Sequence, residues 1–256
     1  MTTFSEQFPI VFQALNIGFL QTLKLFFVTL IGAIPLGLII SFGSMSSWAP
    51  LGFLRPHLKN LPKNTKLTWW QRFQIWCYVD FKPIRIIVRF IIWVVRGTPL
   101  FLQIYIAFFG LPLAGIQIPT FPLGVIVLAM NSSAYLCEIF RAGIQSISKG
   151  QFEAARSLGM NGAQTMLFVI IPQTVRRVIP TMTSEFILLY KDTSMLAAVG
   201  TMEIVMNAKT IVASTGSITP YVVAACFYLI ITLPLAKVVG NLESRLASND
   251  TGKGGK

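Results

Sequence analysis

The stretch "GQFEAARSLGMNGAQTMLFVIIPQ", Gly150–Gln173, interrupts a chain built mostly of long apolar runs. Just ahead of it, Ser148 stands three residues before Gln151, the spacing of a capping box, so a helix can begin there. Gly159 can end that helix in a left-handed cap. Asn161 can cap a second helix whose apolar content is Met166, Leu167, Val169 and Ile170. Pro172 lacks a backbone donor and is expected to break or kink the chain. The stretch therefore predicts two short helices at an angle, lying outside a bilayer. Ala154 and Ala155 give the first a flat surface that a partner can approach. Glu153 and Arg156 remain for polar contacts. By its physics alone the pattern also fits an ordinary surface hairpin of helices.

The surroundings decide which side of a membrane it lies on. The chain has 256 residues, 54% hydrophobic and 12% charged, with mean hydropathy +0.68. Soluble domains carry about 25% charged residues. Five apolar runs approach or exceed the roughly 20 residues that cross a bilayer. They cover about 11–42, 86–113, 121–140, 180–200 and 221–240. The fold class is thus an all-α integral membrane protein with about five spans, and residues 1–245 form one transmembrane domain. The first run exceeds the bilayer thickness, which leaves its start to be interfacial. Cys77, Cys137 and Cys226 are far apart and His57 is the single histidine, so neither a disulfide framework nor a metal centre is expected. The N-terminus lacks the basic region of a signal peptide, and the first span is expected to be retained.

Lys and Arg mark the inner side. Arg55, Lys59, Lys63, Lys66, Arg72, Lys82 and Arg85 precede the second run, and Arg141, Lys149, Arg156, Arg176 and Arg177 lie between the third and fourth. The N-terminus and the 111–120 turn have none. This predicts an outer N-terminus and an inner C-terminus, and it accounts for the net charge of +12 without nucleic acid. The opening stretch then lies inside. The 45–82 loop, rich in Trp and basic residues, reads as an amphipathic helix on the lipid surface or as a partner-docking helix. The 202–215 segment reads either as an outer gating helix or as an interfacial one. Residues 246–256 are expected to be a disordered inner tail.

Glu153-Ala154-Ala155, Gly159 and Val169-x-Ile171-Pro172 resemble the EAA loop of ABC importer permeases, with conservative departures at Val169 and Ile171. "RGTPLFLQ" at Arg96–Gln103, "AYLCEIFRAGIQSISKGQFEAARSLGM" at Ala134–Met160, "IPQTVRRVIP" at Ile171–Pro180 and "LLYKDTSM" at Leu188–Met195 narrow the resemblance to the polar amino-acid branch of the histidine and glutamine type. The match spans most of the chain outside the tail. The 45–82 loop departs from it by looking longer than is usual there.

The resemblance implies a type I importer-like transmembrane domain in the bacterial inner membrane. It implies a second permease subunit, identical or homologous, two cytoplasmic ATPases and an extracytoplasmic amino-acid-binding protein. It implies that residues 148–172 couple to the ATPase, with Gln151, Glu153, Ala154, Ala155, Arg156, Gly159 and Pro172 carrying the contact. No G-x-x-x-x-G-K-[ST] loop occurs, so no cofactor is expected in this chain, and ATP and Mg are expected on the partner ATPase.

Charges inside spans are costly and mark candidate sites. Lys191 and Asp192 fall within the fourth run. Asp192, Thr193 and Ser194 are candidates for a zwitterionic substrate, or the charges hold helices together. Arg96 is followed by Gly97, Thr98 and Pro99, a break that can offer backbone dipoles to a ligand. Thr98 and Gln103 are candidates there, and Asn131 and Ser132 in the third run. Arg96 can instead satisfy Glu138 or another acid. Glu138 and Arg141, three apart, are expected to pair. A secondary transporter would need an inverted repeat or a proton relay, and a membrane enzyme a His, Cys or paired-carboxylate cluster. Neither pattern is found.

Overall fold

A computed structural model describes residues 4–46, 69 and 82–251. Most of the 45–82 loop, with its expected surface helix, and residues 252–256 lie outside the described residues. Among the described residues all regular structure is helical.

Helix α1 (Phe4–Met45) is unbroken despite Pro9 and Pro35. At 1.5 Å per residue it is about 63 Å long, twice the hydrocarbon thickness. The expected interfacial start therefore belongs to the same continuous helix as the span. The second run is divided. α2 (Pro83–Gly97) ends at Thr98 and Pro99, whose extended backbone follows from the restriction that proline places on itself and on the residue before it. α3 (Leu100–Tyr105), a π-helical turn (Ile106–Gly110) and α4 (Leu111–Leu113) then leave at 105°. The proline thus does more than kink a single span.

α5 (Thr120–Gln145) is the central helix, packed on α1 and on α8 (Ile171–Asp192). A 3-10 segment (Thr193–Val199) continues α8 to Gly200, and α9 (Ile204–Thr215) follows at 46°. α9 packs on α1 and α10 through Ile204 and Ala208 against Val11, Leu15 and Val223. α10 (Thr219–Thr251) runs into the tail expected to be disordered, because no glycine or proline interrupts the chain between Gly240 and Gly252. Three helices are long and apolar enough to cross a membrane, and the two bent pairs raise the number to as many as five.

The main core joins Leu25 and Phe26 of α1, Ile104 of α3, Leu128 of α5 and Tyr190 of α8. Outward-facing residues are also apolar: Ile31 is 73% exposed. Such exposure suits lipid as the solvent. α1 and α5 meet closely at Gly37, where an added Cβ would stand 2.8 Å from Leu136 Cβ and 3.1 Å from the Ser133 carbonyl. Small residues permit such approach between membrane helices. Gly37→Leu should force the pair apart and cost about 1–3 kcal/mol, the range for overpacking. A lower thermal midpoint in detergent checks this; an unchanged midpoint would contradict the packing.

Candidate functional site

Two stripes of mixed polar and apolar residues face one another across α5 and α8. Tyr135, Glu138, Ala142 and Ser146 recur every three or four residues on α5, and Arg177, Thr181, Ser184, Glu185 and Leu188 do so on α8. Arg96 joins them from the last turn of α2, where a cation suits the negative end of the helix. Together they line a cavity of about 690 Å³, within the size range of small-molecule sites. The Arg96 guanidinium stands over the Tyr135 ring at 5.1 Å.

Glu138 is engaged by Arg141, as its spacing predicts, with Arg141 Nε donating at 3.0 Å and Nη2 also in contact. That ion pair is the only one among the described residues. Arg96 and Glu185 therefore face the same cavity with no ion-pair partner among the described residues. Arg177 donates to the Ser146 carbonyl at 2.6 Å, closing the C-terminus of α5. Among the described residues the cavity thus presents Arg96 and Glu185 without ion-pair partners, Arg177 bonded to a carbonyl, and several hydroxyls.

The candidates from the RGTP stretch lie elsewhere and bond to each other. Gln103 Nε2 donates to the Val95 carbonyl at 2.7 Å, to the Thr98 carbonyl at 3.1 Å and to Thr98 Oγ1 at 2.9 Å. Asn131 Nδ2 donates to Gln103 Oε1 at 3.1 Å. Thr98 Oγ1 donates to Val94 O at 2.9 Å. These groups satisfy the carbonyls that the α2–α3 break leaves without helix partners.

Ser132 is buried in α5. Thr193 and Ser194 donate to the carbonyls of Tyr190 and Lys191, both at 2.7 Å. Asp192 is half-buried and makes no ion pair with Lys191. Glu185, Tyr135 and Arg177 were not among the sequence candidates. Glu185 carried a legible signal, as an acid inside the 180–200 run. Tyr135 and Arg177 carried none, because only packing turns them to a common space.

At the end of α5 near Ser146 lies α6 (Lys149–Ser157), the first helix of the EAA-like stretch. Ser148 makes no side-chain cap, so the expected capping box is absent there. The box forms instead at Asn161: Gln164 N donates to Asn161 Oδ1 and Asn161 N to Gln164 Oε1, both at 2.9 Å. Gly159 adopts φ +76°. Gly159 N bonds to Arg156 O at 2.9 Å and Met160 N to Ala155 O at 3.1 Å, the two bonds of a Schellman end. Phe152 and buried Ala155 anchor α6 to the bundle, Phe152 against a small core of Ile144, Ile147 and Ile170. Gln151, Glu153, Ala154 and Arg156 stay exposed.

The second expected helix is not separate. α7 (Gly162–Gln164) passes through a π-helical turn (Thr165–Ile170) directly into α8. Ile171 N reaches back to Met166 O, so Pro172 enters without breaking the helix. The wider π turn accommodates a residue that lacks a donor and crowds the preceding turn. The helix that starts at the Asn161 cap is thus continuous with the one that carries Glu185.

Residues 75–248 match the family of binding-protein-dependent transport system inner membrane components. The Bacillus subtilis (strain 168) protein named "Probable glutamine ABC transporter permease protein GlnM" is 40% identical over 167 residues, 65% of this chain and 77% of that protein. The arginine transport system permease protein ArtQ of the same organism is 38% identical over 172 residues, 66% and 78% of the two chains. A crystal structure of an amino acid ABC transporter with histidines is 33% identical, with TM-score 0.76, covering 96% of this chain and all of that one. The chain therefore belongs to the family of binding-protein-dependent transport system inner membrane components, as a multi-pass membrane subunit and not an enzyme.

Proposed function

We propose that the chain is the membrane-spanning subunit of an ATP-driven importer for polar amino acids and forms half of the translocation pathway. The observation that carries this is that Arg96 and Glu185, neither in an ion pair among the described residues, line one cavity. A zwitterionic amino acid carries one carboxylate and one ammonium. Arg96 suits the first through its planar fork of donors, and Glu185 the second. Asp192 lies seven residues beyond Glu185, on the same face of the helix. Thr98, Gln103 and Asn131 act by bracing the break that holds Arg96 in place.

In this reading the N-terminus is outside and α6 is inside, against a cytoplasmic ATPase that binds ATP and Mg. Gln151, Glu153, Ala154 and Arg156 make the contact, with Leu158, 82% exposed, beside them. A second permease subunit completes the pathway, and an extracytoplasmic binding protein delivers substrate. ATP-driven closure of the ATPase pair moves α6, and the Asn161-capped helix carries that motion to α8.

The test is reconstitution of the chain with its ATPase and binding protein in liposomes. ATP-dependent accumulation of radiolabelled glutamine or arginine is expected. Accumulation that continues without the ATPase, or none for any polar amino acid, would refute the assignment.

A further inference from the structure

At the other end of α5 from α6, a second pocket of about 380 Å³ is lined by Gln21, Lys24, Thr120, Phe121, Gly200 and Thr201, among others. Lys24 lies over the Phe121 ring at 4.9 Å and has no carboxylate within salt-bridge distance among the described residues. The first turn of α5 opens onto the same pocket. Pro119 at its N-cap offers no side-chain bond, and that turn contains no acid. An uncapped helix start carries positive partial charge, and here Thr120 and Phe121 supply the free N–H groups, since Pro122 has none. Thr201 is 7% exposed, yet its Oγ1 has no hydrogen-bond partner among the described residues. An ammonium, a helix start and a buried hydroxyl thus converge without an anion to receive them.

We propose that this pocket binds an oxyanion, a phosphate or carboxylate, through Lys24, Thr201 and the first turn of α5. Lys24 precedes Met45, the end of α1, by about 31 Å along the helix, one hydrocarbon thickness. Leu20, Phe27 and Val28 flank it on the same face, 58%, 54% and 41% exposed. With Met45 taken as the inner end of the span, this spacing puts the ammonium at the outer headgroup level. The oxyanion comes either from an anionic phospholipid headgroup or from a solute.

The test is the rate at which a water-soluble amine-reactive ester acylates Lys24 in the complete complex, read by peptide mass spectrometry, with Lys209 as internal reference. In neutral detergent, added inorganic phosphate or succinate reports the solute source. Nanodiscs of phosphatidylglycerol against nanodiscs of phosphatidylcholine report the lipid source. Protection of Lys24 by about tenfold in either arm is expected, corresponding to about 1.4 kcal/mol. Thr201→Val should reduce that protection while leaving the rate in bare detergent unchanged. Equal reactivity under all conditions would overturn the site. So would equal protection of Lys24 and Lys209, or full protection in Thr201→Val.

Discussion

Gly159→Val is expected to uncouple the ATPase while leaving the protein in the membrane. Gly159 sits at φ +76°, where a side chain costs about 1–2 kcal/mol and a β-branched one is least tolerated. Its N–H and that of Met160 close the end of α6 on Arg156 and Ala155. Losing this geometry displaces the turn that leads to the Asn161 cap, and with it the path from α6 to α8. Stimulation of ATP hydrolysis by loaded binding protein should fall about tenfold, matching about 1.4 kcal/mol. Gly159→Asn should retain more stimulation than the Val variant, because asparagine tolerates the left-handed region. The spans lie away from this turn, so membrane insertion should be unchanged. Full stimulation in Gly159→Val would show that this turn does not transmit the motion.

Glu185→Gln is expected to abolish most substrate uptake without loss of assembly. The change keeps the shape of the side chain and removes the negative charge opposite Arg96 in the cavity. A hydrogen bond to a charged group contributes about 1.5–3 kcal/mol, and each 1.4 kcal/mol is tenfold. Uptake of labelled glutamine at low concentration should therefore drop about tenfold to a hundredfold. Raising substrate concentration should recover part of it, since the lost interaction is one of binding. Arg96→Lys keeps the charge but loses the planar fork, so it should also impair uptake. Uptake kinetics like those of the unaltered protein in Glu185→Gln would remove this carboxylate from the pathway.

One variant alters the turn that leads into the helix running from Gly162 to Asp192, and the other a side chain inside that helix. Pro172 seemed a divider between a surface loop and a span. In the structure the π-helical turn Thr165–Ile170 passes the proline without a break. In the proposed mechanism, a push on α6 reaches Glu185 through the Asn161 cap and along α8. π-helical turns are rare and often mark functional positions. Here the turn lies between the proposed docking surface and the proposed binding cavity.

Local signals were legible in the residues themselves. The apolar runs, the left-handed turn at Gly159, the Asn161 cap, the extended Thr98–Pro99 break and the Glu138–Arg141 pair each depend on neighbours a few positions away. Such signals need only helix periodicity and steric rules. The cavity was a different kind of object. Arg96, Tyr135 and Glu185 lie on α2, α5 and α8, and none announces the others by spacing.

The same limit explains Thr98 and Gln103. Near a helix break they look free to bind a ligand, and Asn131 looks like a polar residue awaiting one. Only the packing of α5 beside the break brings Asn131 to Gln103, so that the freed carbonyls are met from within the chain. The sequence by itself determined that the protein is helical, membrane-spanning and equipped with a surface helix ended at Gly159. Tertiary structure alone decided which charges share a cavity and which polar groups are already satisfied. Caps and spans are set within a helix, whereas a cavity is the space that several helices leave between them.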